Sequence, residues 1–152
     1  GLGYFLPALI GGLGAVLGYK ITSDDKTIVY ASDHEGYALM FKSGSDKTQK
    51  LIDGMEAKYR NFLFDADLLI HDAQYDDEDY KTKRGWGHSS IEYAVNSALS
   101  ANIKKIALIH YDPNYNDERI DNILQKTKNK LIADDITDFE VIGSYEGLTL
   151  EI

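Results

Sequence analysis

The sequence predicts a layered α/β domain on three observations. Two short apolar runs bounded by charges, Ala66–His71 (ADLLIH) and Lys104–His110 (KKIALIH), read as buried strands. Segments with apolar residues at helical spacing lie between and after them. A β-branched hairpin pattern precedes both runs.

The hairpin joins Val16–Thr22 to Thr27–Ser32 through the polar turn Ser23-Asp24-Asp25-Lys26. A polar, glycine-bearing stretch follows from Asp33 to Asp46. Lys47–Phe62 reads as a helix with Leu51, Met55, Tyr59 and Phe62 on its inner face. After the first buried strand, Tyr75–Gly87 reads as a loop rich in acids, then bases, then glycine. Ser89-Ser90-Ile91-Glu92 has the form of a capping box, so a helix starts at Ser89, with Ile91, Ala94, Val95, Ala98 and Leu99 inward and Asn102 as its stop. A further helix covers about Asp117–Ile132, with Ile120, Ile123, Leu124, Leu131 and Ile132 inward. Phe139–Ile142 and Leu148–Ile152 read as closing strands.

A length of 152 residues suits one domain with a core, and 43% hydrophobic with 27% charged residues is an ordinary globular composition. Residues 1–13 are the exception, an uncharged glycine-bearing start with Pro7 and no initiating Met. Its Gly and Pro content weakens a membrane span, and a signal segment would need a basic region. A truncated or processed start is the reading adopted. With no cysteine, disulfides, thiolate zinc sites and a Cys nucleophile are excluded, and a reducing cytoplasm is the expected location. A net charge of −9 argues against long nucleic acid as the main partner.

The chain has four histidines, and each falls at an element boundary beside a carboxylate or hydroxyl. His34 follows Asp33, His71 precedes Asp72, His88 precedes Ser89 and Ser90, and His110 ends the second apolar run. In layered α/β folds ligands bind beyond the carboxyl ends of strands. Imidazole and carboxylate together suit zinc, manganese or iron, and a further such group serves as general acid or base. Taken singly, each histidine also reads as a hydrogen-bonded cap, and Asp33 as a turn residue. The run Asp76-Asp77-Glu78-Asp79 lacks the Gly and Glu of an EF-hand and reads as a solvated loop.

From about Gly14 to Ile152 the order of segments resembles the C-terminal half of the metallo-β-lactamase superfamily, near its ribonuclease Z-like and phosphodiesterase-like branch. The resemblance rests on Leu17-Gly18-Tyr19-Lys20-Ile21, Val29-Tyr30-Ala31-Ser32-Asp33-His34-Glu35, Ala66-Asp67-Leu68-Leu69-Ile70-His71-Asp72-Ala73-Gln74-Tyr75, Gly87-His88-Ser89-Ser90, Ile109-His110-Tyr111-Asp112-Pro113 and Glu146-Gly147-Leu148-Thr149-Leu150. It implies half of an αββα sandwich, a mixed sheet with helices on one face. It also implies Asp33 as an aspartate bridging two divalent ions, zinc first and manganese or iron next, and His110 as a metal histidine. His71-Asp72-Ala73-Gln74 resembles a His-Glu-Ala-Thr segment, with Asp72 in place of Glu, and His88 resembles the histidine that works with it, so His71, Asp72 and His88 are the expected catalytic residues. Trp86, Tyr111 and His34 are the expected substrate contacts, with Tyr75 and Tyr80 extending an aromatic wall.

The family's His-x-His-x-Asp-His motif does not occur in the chain. The resemblance therefore implies a partial metal site that acts with a missing N-terminal half, a partner chain or a second copy. The expected function is metal-dependent hydrolysis of a small phosphodiester, with a lactone or other ester as a further candidate and no membrane partner. The alternative is a non-catalytic half-domain that serves as a binding module.

Overall fold

The computed structural model describes residues 3–9, 17–42 and 44–152. Val16 and most of the glycine-bearing start lie outside them. Six strands form one sheet in sequence order: β1 (Tyr4–Leu9), β2 (Leu17–Ser23), β3 (Lys26–Ala31), β4 (Leu68–Asp72), β5 (Lys105–Ile109) and β6 (Glu140–Gly143). β1 to β3 are antiparallel neighbours, and β3 to β6 run parallel. The sheet is therefore mixed, as expected. The hairpin turn is Asp24-Asp25, both with positive φ, a conformation that Asp tolerates better than most residues.

Among the described residues, five helices link the strands: α1 (Tyr37–Met40), α2 (Asp46–Leu63), α3 (Asp77–Lys83), α4 (Ile91–Ser100) and α5 (Asp117–Ala133). Parallel strands laid down in simple order need crossovers of one hand, which puts the crossover helices on one face. That face holds the core: Val29 and Ala31 of β3, Leu69 of β4, Ile106 and Leu108 of β5 and Val141 of β6, packed with Tyr59, Leu63, Ala94, Val95, Ala98 and Leu131 of the helices. Alternation sends Ile28, Tyr30, Leu68, Ile70 and Ile109 to the opposite face. There Tyr30 and Ile21 remain 37% and 40% exposed.

Several boundaries differ from the sequence reading. In α2 the buried residues are Ile52, Tyr59 and Leu63, and Leu51 is 62% exposed. Met55 and Phe62 pack half-buried against the core as expected and Leu63 adds a further inward residue, so of the four expected residues Leu51 alone departs from the inner face. In α5 Leu131 is buried but Ile132 is 66% exposed. The closing segment Leu148–Ile152 forms no strand.

The acidic run is not a loop. Asp76 caps α3 by accepting from the Asp79 amide at 2.8 Å, and Asp77, Glu78 and Asp79 fill its first turn, where carboxylates favour the helix dipole. Arg119 of α5 donates to Asp76 and Asp79 at 2.8 and 2.9 Å and lies over the Tyr115 ring, so α3 is fastened to α5. The cap of α4 is Ser90, which accepts from the Tyr93 amide, rather than Ser89.

Candidate metal and acid–base site

Asp33, Asp72, His88 and His110 each offer a ligand atom, and these atoms lie within 4.8 Å of one another. Three of the groups stand at the carboxyl ends of β3, β4 and β5, and the fourth precedes α4. The centre of the cluster is Asp72, fully buried at the end of β4. Its Oδ2 lies 2.7 Å from His88 Nδ1 and 3.0 Å from His110 Nδ1. The Asp33 amide donates to Oδ2 at 3.2 Å, and the Ser89 amide donates to Oδ1 at 3.0 Å. One carboxylate thus gathers four donors from three separate loops.

A carboxylate accepts, so each Nδ1 carries the shared hydrogen, and Nε2 of both rings is left for a metal or a proton. The two rings meet edge to face with centroids 4.6 Å apart. The Asp72 hydrogen bond is the largest cause holding the His88 pKa above its ordinary value, against the opposing effect of burial. Asp33 Oδ1 stands 3.5 Å from His110 Nδ1, and Asp33 Oδ2 accepts from the Ser32 hydroxyl at 2.8 Å. Asp33 and His110 have φ of 51° and 65°, in the left-handed region. Backbone strain of this kind persists where surrounding contacts fix it, and here both residues turn the chain back over Asp72.

The donor set fits a divalent metal ion: two carboxylates and two imidazoles match the oxygen and nitrogen ligands of zinc, manganese or iron. Asp33 and His110 are the more open pair, with side chains 56% and 38% exposed, against 18% for His88.

The other expected site residues lie elsewhere. His71 and Asp72 are adjacent on a strand and point to opposite faces, so His71 enters the core rather than the cluster. Its Nδ1 is 2.5 Å from the Asp72 carbonyl and its Nε2 is 2.8 Å from Tyr59 Oη. A carbonyl only accepts, so Nδ1 donates, and the Tyr59 hydroxyl donates to Nε2. Burial lowers the His71 pKa, which keeps the ring neutral in this chain of bonds. His71 thus supports the Asp72 backbone from beneath.

His34 is also fully buried, with its ring 4.1 Å from that of Tyr59 and 5.6 Å from that of His71. It is sealed from solvent, against its expected place at a substrate. Its carbonyl accepts from Ser89 Oγ at 2.6 Å, which ties the Asp33 loop to the start of α4. Gly36 is needed two residues on, since a Cβ there would stand 2.3 Å from the Tyr93 ring.

The expected aromatic wall does not form. Tyr75 and Tyr80 are buried, and Tyr111 packs against the core, where burial pushes its pKa up to about 12. Trp86 alone of these four is open, 62% exposed, with Lys83 Nζ 4.1 Å from its ring centroid.

Sequence reasoning missed the central place of Asp72 and the buried Glu35. Strand alternation was the available signal for the first: in ADLLIHD, Leu69 faces the core, so His71 follows it and Asp72 does not. For Glu35 the sequence carries no periodic signal.

Curated relatives carry the name Ribonuclease Z. The one from Sulfurisphaera tokodaii is 45% identical over 60 residues, 40% of this chain and 20% of the relative. The one from Brevibacillus brevis is 26% identical over 106 residues, 66% of this chain and 31% of the relative. The chain thus spans between a fifth and a third of these relatives' length. No family model matches it. Among solved structures, the metallo-β-lactamase fold protein YhfI from Bacillus subtilis superposes with a TM-score of 0.61 at 17% identity, covering 96% of this chain and 48% of YhfI. A diphosphatase from the PhnP family superposes with a TM-score of 0.54 at 20% identity, covering 95% of this chain and 41% of that one. With its sheet order and these likenesses, the chain has the metallo-β-lactamase fold and spans about half the length of the solved structures it matches.

Proposed function

We propose that this chain carries part of the active site of a divalent-metal-dependent hydrolase acting on a small phosphodiester. The observation that carries the reading is the convergence of Asp33, Asp72, His88 and His110 at the carboxyl ends of adjacent strands, with both imidazoles hydrogen-bonded to one buried carboxylate. The likeness to proteins named Ribonuclease Z supports a phosphodiester centre. A net charge of −9 favours a small substrate over a long RNA.

Asp33 and His110 are the residues that would hold metal in this chain, with zinc as the first choice and two ions in the complete site. Bound divalent ions supply Lewis acidity and activate water at neutral pH. Asp72 orients both imidazoles through Nδ1, as a carboxylate behind a metal-bound histidine does. His88, whose basicity Asp72 raises, holds a proton at Nε2 and passes it to the leaving oxygen as the phosphorus–oxygen bond breaks. Water supplies the oxygen of the new bond to phosphorus.

The remaining ligands come from outside this chain, from an N-terminal half or a partner subunit. The exposed apolar face of the sheet, with Ile21 and Tyr30, is the surface such a partner covers. That same face favours a second reading, in which the chain is a non-catalytic half-domain serving as an assembly module.

Metal analysis and hydrolysis of bis(p-nitrophenyl) phosphate test both. The chain alone is expected to be metal-poor and inactive, and to gain both properties when combined with an N-terminal half bearing His-x-His-x-Asp-His. A metal-free, inactive complex would refute the hydrolase reading in favour of assembly. A monomer of this chain that holds two equivalents of metal and turns over would refute the partial site.

A further inference from the structure

Glu35 is 4% exposed, and its carboxylate is committed to a single segment of the chain. Oε1 accepts from the Tyr80 hydroxyl at 2.6 Å and from the Gly85 amide at 2.6 Å. Oε2 accepts from the Gly87 amide at 2.9 Å. Both glycines have positive φ, 83° and 92°, which turns their amides toward one point on either side of Trp86. His88 follows directly.

A buried carboxylate is stable only with its acceptor sites filled, and charge-assisted bonds are stronger than neutral ones. Three such bonds from one loop and its preceding helix make a tether rather than a surface contact. Glu35 stands two residues after Asp33 on the β3–α1 connection. The Ser89 hydroxyl reaches the same connection at the His34 carbonyl. The loop that carries His88 is thereby fixed on both sides to the loop that carries Asp33.

We infer that Glu35 is a positioning residue that locks the 84–88 loop, setting His88 against Asp72 and holding Trp86 between its two tethered glycines. The role for hydrolysis rests on the reading of His88 as proton donor, whereas the tether itself does not. Trp86, exposed and two residues before His88, is held by the same tether.

Trp86 is the sole tryptophan of the chain, so its fluorescence reports on this loop without metal or substrate. Glu35→Gln keeps the side-chain shape but turns an amino group toward a backbone donor. In the full chain this variant is expected to show faster local depolarisation of Trp86 and at least a twofold rise in acrylamide quenching, with the thermal transition still cooperative. In the unsubstituted protein, the Gly85 and Gly87 amides are expected to exchange at least tenfold more slowly than free-peptide amides, a measurement that needs no variant to fold. Unchanged Trp86 mobility in Glu35→Gln, or free-peptide exchange at both glycines, overturns the tether. In the active complex Glu35→Gln should lower kcat/KM about tenfold or more, the scale expected of a displaced catalytic group. A loosened loop in a protein that never hydrolyses phosphodiesters upholds the tether and sinks the catalytic reading of His88 instead.

Discussion

The two ends of the parallel strands handle charge in opposite ways. At the amino ends, acids meet lysines: Asp67 with Lys26 at 3.0 Å, Asp138 with Lys104 at 2.5 Å and Glu140 with Lys105 at 3.3 Å. At the carboxyl ends, Asp33 and Asp72 meet imidazoles, and among the described residues no Lys or Arg pairs with either. The backbone enters the left-handed region at both ends, at Asp65, Asn102 and Asp135 ahead of β4, β5 and β6 and at Asp33 and His110 beyond β3 and β5, so the contrast lies in charge pairing rather than in strain. One end is arranged for stability. The other keeps basic nitrogens and carboxylate oxygens available, which is the condition for binding a cation or moving a proton.

Substitutions at the two ends should therefore separate activity from stability. The largest effect is expected at Asp72. Asp72→Asn should lower metal affinity and activity of the complete enzyme about 100-fold, the upper range for groups that orient metal ligands. Asp72→Ala should in addition destabilise the chain by about 3 kcal/mol, since it strands buried donors. Titration with zinc and a denaturant series check the two parts. Retention of full activity in Asp72→Asn would erase the distinction between the ends.

His88→Asn should come next, with activity down about 100-fold through loss of the proton donor and little change in the unfolding midpoint. A large stability loss with unaltered kcat would move His88 to the structural side of the comparison. Gly36→Ala tests the support beneath the site. The added Cβ would collide with the Tyr93 ring, and a destabilisation of about 1–3 kcal/mol is expected in calorimetry.

The smallest effects belong to the amino end. Asp67 accepts from the Thr27 amide at 2.8 Å, and that bond is the main cause holding its pKa below the ordinary carboxylate value. Folded Asp67 thus releases its proton more readily than unfolded Asp67. Its stabilisation is complete above the unfolded carboxyl value of about 4 and is lost as pH falls through the lower folded value. Asp67→Asn should cost about 1 kcal/mol at pH 7 and progressively less as the pH is lowered through the folded carboxyl value, with activity unaffected. Equal unfolding midpoints for variant and parent at pH 7 would remove Asp67 from the stabilising set.

The same contrast explains what the sequence made legible. The strands stood out because buried parallel strands are continuous apolar runs, and the two that matter end in His71 and His110. Asp33 and His110 were readable as strand-end groups for that reason. The role of His34 was not, because it lies in a connection without a period, whereas that of His71 lay in the alternation it shares with Leu69, which adjacency to an aspartate obscured. The acidic run at Asp76 concealed α3, since a cap followed by a carboxylate-rich first turn and a solvated loop share a composition. Leu148–Ile152 misled in the other direction: its apolar alternation matched a strand, yet it pairs with none of the described strands. Glu35 owes its importance to amides some fifty residues away, and no local pattern encodes a contact at that distance.

The opposed directions of His71 and Asp72 also bear on how the chain reaches this fold. A slip of one residue in the pairing of β3 with β4 would exchange their environments. A carboxylate would then enter the aromatic nest of His34, Tyr59 and Tyr93, and a neutral ring would take its place among the donors at the strand end. Such a misregistered sheet would bury an ion without partners, at a cost of several kcal/mol, about as much as a domain of this size has to spare. The group at the centre of the cluster thus also acts as a proofreader of strand alignment.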